Sequence, residues 1–462
     1  MSMLGRVTVA FALLTGAIAG AYGPSDTAAA GVLSRPNIVV IMTDDQPLGQ
    51  LDAMPFVRSF IEANGVTYPY SMVPTSLCCP SRTSFLTGRY SHETGIYTNA
   101  PPNGGWPTFN ANGSETETLA TWLSAAGYET ALVGKYLNRF SDSDPGYTPP
   151  GWDTFIGYLS GGYYYDYTLR TKVNGPTTDQ SFASAPEDYS TDVLGNRAVA
   201  AIQQSSPTQP LFLMFTPMAP HAPQTPASRH LHSWPQEVPI SPDINELNMS
   251  DKPRWMQRLA PIDEAELARR TARQHETLMA VDEAVQKIVA ALGDRAANTL
   301  FVFTSDNGLM MGSHRWQTKG MPHARSTLVP LLLRWDGHLD PATSDNRVAL
   351  NIDVTATILQ ASGVDHATSG LSLLNPNARP GTVLESSGGQ GSPTPPAYCG
   401  WRSRRWLFVE WTGNKGRELY DYRNDPYELH NLAMNPDFRG RMIASRHSAM
   451  DACSPVPPGF TW

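Results

Sequence analysis

Four apolar runs recur along the chain: Asn37–Thr43, residues 130–133, Leu211–Thr216 and residues 299–304. None alternates with polar residues, so each predicts a strand buried on both faces, as in a parallel sheet held between helices. The segments between them carry helical spacing. Residues 54–64 open at Pro55, place Phe56 and Phe60 on one face and stop at Asn64-Gly65. Ser114-x-x-Glu117 reads as a capping box ahead of Leu119, Trp122 and Leu123, with Gly127 as the stop. Residues 187–204 and 263–292 predict two more helices, the second through Leu278, Val281, Val285, Ile288 and Leu292. Residues 141–186, rich in Gly, Pro, Ser and Tyr, read as a long packed loop carrying Tyr163, Tyr164, Tyr165 and Tyr167. Residues 224–262 read as a polar, Pro-rich excursion. Near the C-terminus, residues 406–411 and 418–422 predict short antiparallel strands around Gly413 and Gly416.

The polar residues that end the apolar runs carry the chemistry. Asp44-Asp45 follow the first, Gly134-Lys135 the second, Ala219-Pro220-His221-Ala222-Pro223 the third and Ser305-Asp306-Asn307 the fourth. Ligand sites in open α/β sheets lie beyond the carboxyl ends of the strands. Asp44, Asp45, Asp306 and Asn307 form an all-oxygen set, which suits a hard cation, Ca²⁺ ahead of Mg²⁺. His221, held between two prolines, has a stiff backbone suited to positioning. The stretch Cys78-Cys79-Pro80-Ser81-Arg82 predicts a helix beginning near Pro80 with Cys78 at its mouth. Free N–H groups there favour an anion, and Arg82, four positions on, shares a face with Cys78.

Composition narrows the partners. The chain has 462 residues and a formal net charge of −8, so an anionic substrate needs a local cationic pocket, and the acidic balance argues against general nucleic-acid binding. Arg6 followed by an apolar stretch to Ala21, with Ala28-Ala29-Ala30 as a cleavage option, reads as an export signal over residues 1–30. The run is short for a membrane span, and no later stretch is long enough for one. The expected destination is therefore secreted or exported. Of four cysteines, Cys399 and Cys453 flank the C-terminal region and are candidates for pairing; Cys79 is expected as a buried thiol.

Cys78-Cys79-Pro80-Ser81-Arg82 with Leu86-Thr87-Gly88-Arg89 resembles the signature of the type I sulfatases, within the alkaline-phosphatase-like superfamily. Gly134-Lys135, His221 in its His-x-Pro setting, Lys319-Gly320 and Val329-Pro330-Leu331 resemble further family blocks, and Glu418-Leu419-Tyr420-Asp421 its C-terminal part. The resemblance is nearest to the arylsulfatase and N-acetylglucosamine-6-sulfatase branch. It implies a three-layer α/β sandwich at residues 36–370 and a small α+β subdomain with an antiparallel sheet at 371–462. It also implies that a maturation enzyme converts Cys78 to formylglycine, whose hydrate is the nucleophile. Cys78 would join Asp44, Asp45, Asp306 and Asn307 at the metal. Arg82, Lys135 and Lys319 would neutralise the sulfate, and either His221 or Lys319 would protonate the leaving alcohol. Two departures stand out. Leu137 stands where the family often has histidine, and His323-Ala324 with Leu328 replace a Tyr-Glu and an Arg, which reads as a lost ion pair. The expected activity is hydrolysis of a sulfate ester of a sugar or aryl alcohol. The alternatives are a phosphomonoester or phosphodiester hydrolase on the same fold, or a silent binder of sulfated glycans.

Overall fold

The computed structural model describes Gly5, residues 35–389 and residues 394–462. Apart from Gly5, the expected export signal lies outside the described residues. Among the described residues, ten strands form one sheet. Its order is Thr343–Ser344, Val66–Thr67, Leu331–Arg334, Thr299–Ser305, Asn37–Thr43, Leu211–Thr216, Glu129–Gly134, Thr154–Gly161, Tyr167–Lys172 and Thr178–Ser181. The five strands from Thr299–Ser305 to Thr154–Gly161 run parallel. All four apolar runs therefore lie side by side and end on the same edge.

Their side chains alternate between two cores. Ile38, Val40 and Met42 pack with Leu119, Leu123 and Ile358 on one face. Val39 and Ile41 pack with Leu194, Leu278 and Val285 on the other. Helices cover both faces, which gives the expected three layers. The helix Glu264–Leu292 starts where Asp263 accepts a hydrogen bond from the Glu266 amide, and it buries Leu278, Val281, Val285, Ile288 and Leu292. Deleting one such side chain, for example Ile288→Ala, costs about 2–5 kcal/mol because the packed interior closes only partly around the void.

Three expectations are corrected. The helix carrying the signature spans Cys78–Thr87, so Cys78 is already its first residue. Proline is tolerated anywhere in the first turn, and the free Cys79 amide donates to Asn99 Oδ1 at 2.9 Å. The helix Leu119–Ala125 is capped by Thr118 with Thr121, whereas Ser114–Thr116 is a separate short turn. Residues 141–186 contain Thr154–Gly161, Tyr167–Lys172 and Thr178–Ser181, which extend the sheet. The last two pair antiparallel, and Tyr164 and Tyr167 are buried there.

The C-terminal part has its own antiparallel sheet of four strands, Thr382–Ser386, Tyr398–Arg402, Trp406–Trp411 and Gly416–Asp421. The helix Arg439–Ala452 lays Ala449 against Phe408 and Leu419. A disulfide joins Cys399 to Cys453 at the end of that helix, with Cα atoms 6.3 Å apart. Among the described residues, no helix is long and apolar enough to cross a membrane.

Candidate active site

The strand ends converge on Cys78. Asp44 and Asp45 follow the strand Asn37–Thr43, and Asp306 and Asn307 follow the strand Thr299–Ser305 beside it. Asp45 has φ +67°, a left-handed conformation that Asp adopts more readily than most residues. The turn lets its amide donate to Asp306 Oδ1 at 3.1 Å. Asp44, Asp306 and Asn307 are buried, as is Cys78.

Three cations meet these carboxylates. Arg82 donates from Nε to Asp306 Oδ2 at 2.8 Å and from Nη1 to the Lys135 carbonyl at 3.0 Å. Its Nη2 lies 3.6 Å from Asp44 Oδ2. Lys135 Nζ pairs with Asp44 Oδ2. Lys319 Nζ pairs with Asp45 Oδ1 and approaches Cys78 Sγ at 2.7 Å. His221 Nε2 lies 3.6 Å from Asp45 Oδ2, between cis Ala219-Pro220 and cis Ala222-Pro223 bonds. Tyr163 sets its ring edge-on to His221 at 5.0 Å. Every site residue expected from the sequence is thus brought into one cluster.

The electrostatics follow from burial and this charge ring. Burial alone would raise the Asp44 carboxyl, but Lys135, His221, Arg82 and Lys319 together hold it well below the usual carboxylate range. The two lysines lose to burial and gain more from the carboxylates, so both are held above the usual lysine range. Burial pushes the Cys78 thiol up to about 12; Asp44 adds to the rise, and Lys135 and Lys319 oppose it. A cysteine nucleophile needs the opposite shift, since only the thiolate attacks. Burial therefore disfavours the thiolate of an unaltered Cys78.

The metal expectation can be set against the donors. Asp44, Asp45, Cys78 and His221 each offer a ligand atom, all within 4.8 Å of one another. Asp306 stands beside this set with its two oxygens on Arg82 and the Asp45 amide. Asn307 Nδ2 donates to Asp45 Oδ1 at 2.6 Å and to the Gly308 carbonyl at 2.9 Å, which fixes the amide's orientation. Its Oδ1 is then a buried acceptor with no hydrogen-bond partner. An orphaned oxygen among carboxylates is what a hard cation satisfies, so the residues fit one.

A cavity of about 240 Å³ opens over Lys319 and His221, lined also by Leu77, Asn99, Thr318 and Ser386. Sequence reasoning gave no reason to single out Asn99, which caps the Cys79 amide at this mouth, or Ser386, which arrives from the C-terminal sheet. Leu137 is buried in the apolar core, so no polar role is filled at that position. Where an ion pair was expected to be lost, His323 Nε2 instead lies 3.1 Å from Glu418, and the Ala324 amide donates to Glu428 at 3.0 Å.

Comparisons with known proteins bear on the family and the fold. A family model described as Sulfatase matches residues 36–364. The human N-acetylglucosamine-6-sulfatase is 32% identical over 76% of this chain and 65% of its own length. The Volvox carteri arylsulfatase is 30% identical over 93% of this chain and 75% of its own length. The chain spans 30% of the extracellular sulfatase SULF-1 homolog of Drosophila melanogaster and 47% of a putative Caenorhabditis elegans counterpart. Among solved structures, one in complex with its substrate D-glucosamine-2-N,6-O-disulfate superposes with a TM-score of 0.73 at 20% identity, over 92% of this chain and 99% of that one. A phosphonate monoester hydrolase of Agrobacterium radiobacter superposes at 0.71 with 18% identity, over 90% and 95%. At such identities these two structures speak for the fold, while the family model and the sequence relatives carry the assignment: the chain belongs to the sulfatase family.

Proposed function

We propose that this protein hydrolyses sulfate monoesters of sugars or aryl alcohols to the alcohol and inorganic sulfate, after conversion of Cys78 to formylglycine and with Ca²⁺ at the carboxylates. The observation that carries the reading is Cys78 itself. It sits where strand ends, helix mouth and two lysines converge, in a buried setting that disfavours its thiolate. Conversion to formylglycine would replace the thiol with an aldehyde. Its hydrate supplies a hydroxyl nucleophile, and a second hydroxyl whose deprotonation returns the aldehyde and frees sulfate. Asp44, Asp45, Asp306 and Asn307, together with position 78, would hold the cation, which would supply a Lewis acid for a sulfate oxygen.

The chain's own residues do the rest. Three cations, Arg82, Lys135 and Lys319, stand against three carboxylates, Asp44, Asp45 and Asp306. Lys135 and Lys319 pair with Asp44 and Asp45 beside Cys78, where their ammonium groups would neutralise the charge that grows on the sulfate oxygens in the transition state. Arg82 stays tied to Asp306 and keeps its Nη2 donor available. His221 and Lys319 both reach the mouth of the cavity and either can protonate the leaving oxygen.

The related extracellular sulfatases and the Cys399–Cys453 disulfide support an exported protein, matured by a formylglycine-generating activity on the way. The test is a panel of an aryl sulfate, N-acetylglucosamine 6-sulfate and an aryl phosphate, assayed with protein co-expressed with a maturation enzyme. Sulfate release from the first or second, lost in Cys78→Ala, is expected. Turnover confined to the phosphate would overturn the proposal.

A further inference from the structure

A second group of cations lies outside this site. A cleft of about 590 Å³ is lined by Ala324, Leu328, Arg402, Arg404, Arg405 and Arg423, with Tyr70 and Tyr422 as its aromatic walls. It shares no lining residue with the cavity over Lys319. The short Ala324 and apolar Leu328 leave the space open and offer the arginines no counter-charge.

Arg402 is the distinctive member. Its side chain is 2% exposed, and its Nε and Nη1 have no hydrogen-bond partner. The guanidinium lies 3.2 Å from the centre of the Tyr422 ring, which offers a π face but no acceptor. Glu428 is the nearby carboxylate. Its oxygens are already used by the Tyr422 hydroxyl, the Ala324 amide and His314. Asp421 is taken by Arg405 through two contacts of 2.7 Å. Arg404 stands 5.4 Å over Tyr70, and Arg423 is exposed without an ion pair among the described residues. Three guanidinium groups therefore face one cleft with no salt-bridge contact to a carboxylate among the described residues, Glu428 acting on Arg402 only through space. A buried guanidinium with unmet donors is costly, and its Nη1–Nη2 edge is shaped to donate two parallel hydrogen bonds to an oxyanion.

We propose that this cleft is a second anion site, in which the Arg402 fork grips a sulfo group and Arg404 and Arg423 steady it from the rim. The same chemistry fits a free sulfate ion and a sulfo group on a glycan chain. Only the choice of sulfate among oxyanions rests on the function proposed above, and binding can be read without any turnover.

The experiment is calorimetric titration of the full chain with sodium sulfate and with a heparin tetrasaccharide. Wild type is compared with the double variant Arg404→Gln/Arg423→Gln and with Arg402→Lys, which keeps the charge and loses the fork. The expected result is two sulfate sites in the wild type, one of them weakened at least about tenfold in either variant. Aryl sulfate turnover by the double variant stays within about twofold, since it leaves the catalytic cluster untouched. The double variant changes only exposed side chains, so the test survives if Arg402→Lys fails to fold. A tetrasaccharide that binds more tightly than sulfate, with the gain lost in the double variant, identifies a glycan segment; equal affinities identify the free ion. Unchanged sulfate stoichiometry and affinity in the double variant would overturn the proposal.

Discussion

His314 offers a stability test that can be worked from the structure. It is buried; its Nδ1 lies 2.6 Å from Glu246 and its Nε2 3.5 Å from Glu428. Lys252 sits 2.9 Å from the same Glu246, and the His323 ring packs 4.7 Å away. Burial by itself would lower the imidazole, but the two carboxylates override it and raise it to about 9. An unfolded histidine titrates near 6.5, so the gap is worth about 3 kcal/mol at about 1.4 kcal/mol per pH unit. The folded value is the higher one, so this stabilisation is fully present below about pH 6.5 and is lost as the pH rises through about 9. His314→Gln has no such titration. The stability difference between wild type and variant should therefore shrink by about 3 kcal/mol between about pH 6 and about pH 9.5. At roughly 2.1 cal/mol/K per residue of unfolding entropy, that is a change of about 3 °C in the Tm difference for a chain of this length. Denaturant unfolding at the two pH values, checked by melting curves, reads it directly. Wild-type and variant curves that run parallel across this range would refute the assignment of a charged His314.

Three further outcomes are expected. Peptide mass analysis of matured protein shows the aldehyde at position 78 and an intact thiol at Cys79; full turnover by protein whose Cys78 is wholly a thiol would sink the assignment. Lys135→Ala and Lys319→Ala each lower kcat by about 10²-fold or more on an aryl sulfate, with a smaller change in KM, because each contact strengthens as charge develops; near-wild-type kcat/KM would mark that lysine as electrostatic ballast. Asp306→Ala removes bound metal and turnover together, and unchanged metal content by elemental analysis would remove Asp306 from the ligand set.

The sequence made the cluster readable because each of its parts ends an apolar strand. Asp44, Lys135, His221 and Asp306 stand beyond four runs with no polar interruption, and parallel packing alone brings such ends together. Asn99 had no such flag: it lies in an irregular segment, and its role depends on a helix that begins at Cys78. The strands Thr154–Gly161 and Tyr167–Lys172 were hidden for a different reason. They lie toward the sheet margin, partly exposed and interrupted by Gly, Ser and Tyr, so their order comes from pairing rather than local pattern. The cap at Thr118 lost to Ser114 because a four-residue motif matched the wrong threshold of the helix. Arg402 reads as one more strand arginine; its isolation depends on Ala324, Leu328 and Tyr422 meeting around it.

The enclosure of Cys78 also sets a clock. Its side chain is wholly shut in, and the wall that closes over it includes Lys319, 241 residues further along the chain. At roughly 5–20 residues per second, a ribosome needs about 12 to 48 s to cover that distance. Throughout that interval the signature is a bare segment that a modifying enzyme can grasp. Once Lys319 arrives and the fold shuts, the thiol is beyond reach of any protein catalyst. If Cys78 is converted as proposed, conversion is a race against folding, and its yield is set by relative rates rather than by affinity for the finished enzyme. Chains that fold first close their core over an unconverted sulfur.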